Sequence, residues 1–386
     1  MNECQLIRKF EEVFHSTPEL ISSAPGRINI IGEHTDYNLG YVLPAAIHMR
    51  IYFLAGRRDD DLVRIWADDF GEERFFSSRN IVTSLAHHWE TYIKGIFWVL
   101  ENNGFFPGGI NGLVCGDIPI GSGLSSSAAL EVSVINGLDM LFQFGIVPMQ
   151  MAKLAQQAEN DFVGMKCGLM DQFISVFGKE NMAFFLDCLS LDFKQIPLRL
   201  HRDNLTFLVY DSCVRRELSR SEYNRRRSES SAAERYLKSS GIPGFRGATQ
   251  DMIQGLREQM DKVLYKRSRH VLSENERVQL AIKALYNDDF LALGQLLFQS
   301  HESLRDDYEV SCPELDLLYE FGMEFSGCLG SRLTGAGFGG SGIALVKTNK
   351  TDLFTREILD LAQKKGYRKP RVFPVRIDKG ATTSIL

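Results

Sequence analysis

Gly121-Ser122-Gly123-Leu124-Ser125-Ser126-Ser127-Ala128-Ala129 carries two glycines and a run of three serines straight into an apolar, alanine-started helix pattern. Glycine lets the backbone bend and lets a ligand approach with no Cβ in the way. Serine is a favoured N-cap, and a helix N-terminus presents unpaired N–H groups and partial positive charge. Together these make an anion site, with phosphate the expected anion. No lysine follows, so this is not the GxxxxGK[ST] loop. A serine-capped buried helix reads the same way, and on local sequence the two readings stand level. A second stretch, Gly32-Glu33-His34-Thr35-Asp36-Tyr37-Asn38-Leu39-Gly40, packs two carboxylates, a histidine, a threonine and an asparagine between apolar segments. A small, hydroxyl-rich ligand needs such a loop. A solvated turn bonded to its own backbone is the commoner outcome for that composition. A third candidate is Asp171, a single acid among apolar neighbours in Gly168-Leu169-Met170-Asp171-Gln172-Phe173. It is either a helix cap or a carboxylate held in a pocket.

The elements that must position these groups follow from periodicity. Apolar strand patterns over 27–31 and 41–47 flank the acidic loop, and a strand over 110–115 feeds the Gly/Ser stretch. The helix from Ser127 toward Phe144 is apolar nearly all round, which predicts burial. A second helix over 148–162 carries Glu159 near its end. Trp89 and Tyr92 lie three apart on a helical pattern and share a face, as core or as an aromatic wall for a nucleobase. Strands are expected at 182–187 and 205–210, with a domain change near 190–205. A mainly helical region runs to about 325, with 276–298 its longest amphipathic segment. Gly335-Ala336-Gly337-Phe338-Gly339-Gly340 satisfies GxGxxG, but a strand-like segment follows where the dinucleotide fingerprint needs a helix. It reads as a turn between a helix and a strand, facing a ligand. A last strand is expected over 372–377. Arg215-Arg216 and Arg225-Arg226-Arg227, with Tyr223, read as a solvated helix face. His87-His88 has no further ligand at metal spacing.

With 386 residues, 44% hydrophobic and 24% charged, the chain is long enough for two or three domains with sizeable cores. A formal net charge of -5 argues against a nucleic-acid footprint. Seven scattered cysteines, none in CxxC spacing, suit free thiols in a reducing compartment. No apolar run has the length of a membrane span, and the N-terminus lacks a signal-peptide layout. A cytoplasmic protein is expected, with no nucleic-acid or membrane partner.

Arg27-Ile28-Asn29-Ile30-Ile31-Gly32-Glu33-His34-Thr35-Asp36-Tyr37 resembles the N-terminal signature of galactokinases. Residues 118–128 resemble the phosphate motif of the wider GHMP kinase superfamily, and 333–340 its third motif. Residues 168–173 and 300–309 are also galactokinase-like, and the five matches stand in family order. The resemblance implies an α/β (α+β) chain with the two-domain GHMP kinase fold, divided into 1–195 and 205–386, with the active site in the inter-domain cleft. It implies transfer of the ATP γ-phosphoryl group to the C1 hydroxyl of galactose, with Mg²⁺; a monomer is expected. Asp171 would face that hydroxyl as base or orienter, with Arg27 beside it holding it ionised, a division that suits phosphoryl transfer. Glu33, His34, Asp36, Gly168 and Tyr223 match sugar-binding positions. Gly121, Gly123, Leu124, Ser125, Ser126, Ser127 and Ala128 match the nucleotide loop, with Trp89 and Tyr92 on the adenine side. Ser126 or Ser127 with Glu159 match the Mg²⁺-holding positions, a sparse set that phosphates and waters complete.

The chain departs from the family pattern at Leu39, where many members carry glycine, at His48-Met49-Arg50, and at Asp211-Ser212-Cys213-Val214. Leu39 and His48 are expected to bear on the exact sugar. N-acetylgalactosamine or galacturonate are the alternative substrates, and a non-catalytic sugar and ATP sensor is the alternative from another class.

Overall fold

The computed structural model describes residues 3–82, 88–214 and 219–386; His87, Arg215 and Arg216 lie outside them. The first half runs α1 (Glu3–Phe14), β1 (Leu20–Asn29), β2 (Tyr41–Val42), β3 (Pro44–Arg57), β4 (Leu62–Ala67), β5 (Glu72–Ser77), α2 (Trp89–Asn102) and β6 (Ile110–Gly116). It continues through α3 (Ser126–Phe142), α4 (Pro148–Gln157), α5 (Met170–Phe177), β7 (Met182–Asp187) and β8 (Phe193–Pro197). The second half runs β9 (Leu205–Asp211), α6 (Ser219–Ser239), α7 (Gln250–Gly255), α8 (Lys262–Tyr286), α9 (Phe290–Ser303) and α10 (Pro313–Glu324). It ends with β10 (Cys328–Thr334), β11 (Ser341–Lys347), α11 (Thr351–Lys364), β12 (Arg371–Val375) and β13 (Thr382–Ile385).

The strands form three sheets, ordered β13-β1-β3-β6-β4-β5, β10-β11-β9-β12 and β2-β7-β8. All pairings are antiparallel except β4 with β6. The largest core lies where α3 covers β1 and β3, which is why α3 is apolar on most of its circumference and buried along most of its length. A second core under α6 and α8 includes Leu304, Tyr308, Leu333 and Phe338.

Three expectations are corrected. The segment 276–298 is not one helix: α8 ends at Tyr286, Asp288 takes φ +54°, and Asp289 starts α9 by accepting the Ala292 N–H at 2.9 Å. The glycine-rich turn 335–340 joins two strands, β10 and β11, in an antiparallel hairpin. β12 is not the last strand, because β13 returns to the first sheet and pairs with β1.

Candidate active-site cleft

Arg27 and Asp171 stand at the floor of a cleft of about 450 Å³. The β1 register against β3 slips between Pro25 and Arg27, a bulge that re-aims the side chain that follows. The Arg27 N–H donates to the Leu124 carbonyl at 3.0 Å, docking the end of β1 on the Gly/Ser loop. Its guanidinium donates from Nε and Nη2 to the two Asp171 oxygens, at 2.7 and 2.8 Å, and from Nη1 to the Gly123 carbonyl at 2.8 Å. Burial opposes the charge of Arg27, but Asp171, then Glu33 and Asp36, more than compensate and raise its pKa. This is a planar, bidentate pair, the geometry that only arginine supplies.

Ser125 is the residue before α3, but its hydroxyl does not cap the helix. It sits at φ +62° and donates to Asp171 Oδ2. The left-handed backbone swings the hydroxyl away from the helix amides and toward the carboxylate. Serine capping, the local reason for reading this stretch as an anion site, therefore does not hold at Ser125.

The acidic loop forms one wall. Glu33 is buried and accepts from Asn29 Nδ2 at 2.9 Å, Thr334 Oγ1 at 3.0 Å and the Gly335 N–H at 2.7 Å. Burial pushes its pKa up, against the pull of Arg332 and Arg27. The glycine turn thus hangs on a carboxylate 302 residues away. Gly335 has φ +83°, and a Cβ there would stand 2.9 Å from the Gly123 carbonyl, so the two glycine loops meet at van der Waals distance. His34 is buried and neutral, its pKa lowered to about 3 by burial and by nearby cations. Its Nδ1 bonds Tyr37 Oη at 2.7 Å, and Tyr37 Oη meets Tyr308 Oη at 3.0 Å. A backbone hydrogen bond to Ala336 of the glycine turn opposes the lowering of the His34 pKa, so the ring sits against the third loop of the cleft. Asp36 is pushed up to about 7 by burial and by the charge of Asp171. Gly168 abuts it so closely that a Cβ would lie 2.0 Å from Asp36 Oδ2. Tyr223 closes this side, its ring 5.8 Å from His34.

Glu159 sits opposite, in a π-helical turn over Ala158–Val163, an irregularity common at functional sites. Its carboxylate is buried and accepts from Gln172 Nε2 at 2.6 Å and from Cys167 Sγ at 3.4 Å, and the Ser127 hydroxyl also bonds it. Burial, then the charge of Asp171, raises its pKa. Among the described residues no three His, Cys, Asp or Glu side chains gather as a metal cage. One buried carboxylate with a bonded serine, open to the cleft, fits a cation that keeps most of its shell from elsewhere.

The expected residues sort as follows. Arg27, Asp171, Glu33, His34, Asp36, Gly168 and Tyr223 all line one cleft. So do Gly121, Gly123, Ser125, Ser126, Ser127, Glu159 and Tyr92. Leu124 and Ala128 are fully buried in the core and reach the cleft with no side chain. Trp89, a turn before Tyr92, stacks on Phe70 at 6.4 Å and does not line the cleft. Leu39 and His48 do not line it either. Leu39 is exposed at φ +57°, a conformation that favours the glycine it replaces, and His48 Nδ1 accepts the Arg376 N–H at 3.3 Å. Val214, at the end of the third departure, does line the cleft, and Ser212 bonds the Gly340 carbonyl at 2.7 Å. Sequence reasoning missed Tyr37, Thr334, Met165 and Cys167 as lining residues. For Thr334 the neighbouring glycine run was the available signal.

Family models match three stretches: the galactokinase galactose-binding signature at residues 8–57, the GHMP kinase N-terminal domain at 91–179, and the GHMP kinase C-terminal domain at 281–366. The chain is 41% identical to the galactokinase of Roseiflexus sp. (strain RS-1) over 93% of its length and 90% of that protein. It is 42% identical to the galactokinase of Thermotoga petrophila, over 88% of its length and 93% of that protein. The crystal structure of Lactococcus lactis galactokinase complexed with galactose superimposes with a TM-score of 0.94 at 36% identity, covering 98% of this chain and 99% of that one. Methanococcus jannaschii mevalonate kinase shares the fold, at TM-score 0.67 and 18% identity.

Proposed function

The chain belongs to the galactokinase family of GHMP kinases, and from that premise we propose how its cleft carries the γ-phosphoryl group of ATP to the C1 hydroxyl of D-galactose. The observation that carries the reading is the Arg27–Asp171 pair, lined up in one cleft with the acidic loop and two touching glycine loops. Phosphoryl transfer demands alignment and charge stabilisation more than covalent chemistry. Asp171 receives or orients the C1 hydroxyl proton, and Arg27 keeps its carboxylate in place while facing the transferring group. Glu33, His34, Asp36 and Tyr223 read the sugar hydroxyls. Carboxylates suit that task because each accepts several hydrogen bonds and leaves a costly unpaired group when the wrong epimer enters. The glycine loops 121–125 and 335–340 take the phosphates, and Tyr92 the base side. Glu159 with Ser127 or Ser126 would hold Mg²⁺, which would supply charge neutralisation to the phosphates. The lobes are 1–195 and 205–386, a division supported by β9 opening the second sheet, with the chain crossing back to the first sheet through the Ile47–Ile377 bridge and β13.

The test is an ADP-forming assay with Mg²⁺ over galactose, talose, 2-deoxygalactose, N-acetylgalactosamine, galacturonate and glucose. Turnover should be highest on galactose, absent on glucose and lost on chelation with EDTA. A maximum on another sugar would keep the mechanism and move the substrate. ATP binding with no turnover on any of them would sink the enzymatic reading.

A pH dependence follows from Asp36. A carboxyl pushed up to about 7 is mostly protonated below that pH, and a protonated acid offers fewer acceptor lone pairs to a sugar. Glu33, also raised by burial, titrates in the same sense. Galactose affinity should therefore weaken below pH 7, by at most about tenfold per unit for one linked proton. Calorimetry between pH 5.5 and 8.5 reads this directly. In Asp36→Asn the slope should flatten; an equal slope in that variant would place the titrating group elsewhere.

A further inference from the structure

The basic run on α6 is only partly a solvated face, and the reaction above does not use it. Arg225 pairs with Glu229 at the surface. Arg226 is buried and donates to the carbonyls of Tyr308 and Glu309, at 2.8 and 3.0 Å. Arg227, one turn after Tyr223, reaches across the rim of the sugar side. Its Nη1 donates to the Lys166 carbonyl, and its guanidinium lies over the Tyr37 ring, 5.7 Å from the centroid. Lys166 stands two residues before Gly168, which abuts Asp36. Tyr37 follows Asp36 and bonds His34. One side chain from the second half of the chain thus touches both walls that flank Asp36.

The segment it holds has no regular structure. Residues 164–168 leave the π-helical turn through Gly164 at φ +78° and lead to α5, turned by the Cys167 N–H onto the Met165 carbonyl at 2.9 Å and tied by the Met165 N–H to the Glu159 carbonyl at 3.0 Å and by contacts to the Cys167 carbonyl. Where Gly168 sits decides how much room Asp36 has. The positive charge of Arg227 also favours the ionised form of Asp36 against burial.

We propose that Arg227 is a positioning residue for the sugar, a clasp from α6 that sets the spacing between the 164–168 segment and the 33–38 loop. It does not line the cleft, so it acts through Gly168 and Asp36 and not by touching the substrate. The proposal rests on the sugar placement given above.

The experiment compares Arg227→Ala, Arg227→Lys and Glu33→Ala in the full-length protein, by calorimetry with galactose and by KM for both substrates. Arg227→Ala should raise the Kd and KM for galactose roughly tenfold, about the worth of one charge-assisted hydrogen bond, and leave the KM for ATP within about twofold. Arg227→Lys keeps the charge over Tyr37 and one donor, and should recover part of the loss. Unchanged galactose affinity in Arg227→Ala, with Glu33→Ala impaired, overturns the clasp and leaves the sugar placement standing. Unchanged affinity in Glu33→Ala overturns the placement itself. A parallel rise in both KM values with a lowered Tm overturns the clasp in favour of a general structural role.

Discussion

Asp171→Asn is expected to lower kcat by about a thousandfold or more while galactose and ATP still bind within a few-fold of the parent. The substitution keeps the shape and one acceptor oxygen, so Arg27 retains part of its bond. It removes the negative charge, and with it the carboxylate bonded to Arg27 that is placed to take or orient the C1 proton. The Asn variant is preferable to Ala because Arg27 is buried, and a buried cation stripped of its partner costs on the order of 3–5 kcal/mol. Ser125 adds a second reason: its hydroxyl donates to Asp171 and can still donate to an amide oxygen. Single-turnover rates with ATP and galactose, set beside calorimetric Kd values, separate the two effects. A kcat within tenfold of the parent would take Asp171 out of the chemistry. A collapse of both Kd values would make it a scaffold residue.

What the sequence discloses here is local, and what it hides is remote. The Gly/Ser stretch, the acidic loop and the Gly168–Asp171 segment stand out because each concentrates unusual residue types within a few positions. The strand feeding the Gly/Ser stretch reads correctly from apolar periodicity, whereas β1 begins at Leu20 and not at 27, and the expected strand over 41–47 divides into β2 and β3 of different sheets. The direction of a side chain does not follow from either signal. Nothing near Ser125 reports that its hydroxyl turns toward a residue 46 positions on. Thr334 and Gly335 bind a carboxylate some 300 residues earlier, and Tyr308 reaches Tyr37 across 271. Those contacts exist only once the two halves of the chain close on each other. Where a local signal was present and overlooked, it was chemical: Asn287-Asp288-Asp289 interrupts a helical period with residues that favour turns and caps. Leu39 is the reverse case. Its departure from glycine is a backbone matter at an exposed αL position, and its side chain does not line the cleft.

Gly168→Ala is the second large effect, and its logic is steric. Gly168 does not need glycine for its backbone angle, because its φ is not in the left-handed region. It needs glycine for space: a Cβ would meet Asp36 Oδ2 at 2.0 Å, its Cγ at 2.3 Å and its Cβ at 2.8 Å. No rotamer adjustment of the new methyl is available, so either the Asp36 carboxylate or the 164–168 segment must leave its place. Both outcomes remove acceptors from the sugar, and losing two hydrogen bonds to a charged group corresponds to roughly a hundredfold in affinity. The KM for ATP should move little, since the nearest atoms a Gly168 Cβ would meet belong to Asp36 and none to the phosphate loops. A double-mutant cycle decides the cause. In an Asp36→Gly background the clash is gone, so adding Gly168→Ala should cost galactose affinity little further. If the alanine costs as much there as in the parent, the contact with Asp36 is not what Gly168 serves, and the segment's own path through the cleft would be the determinant.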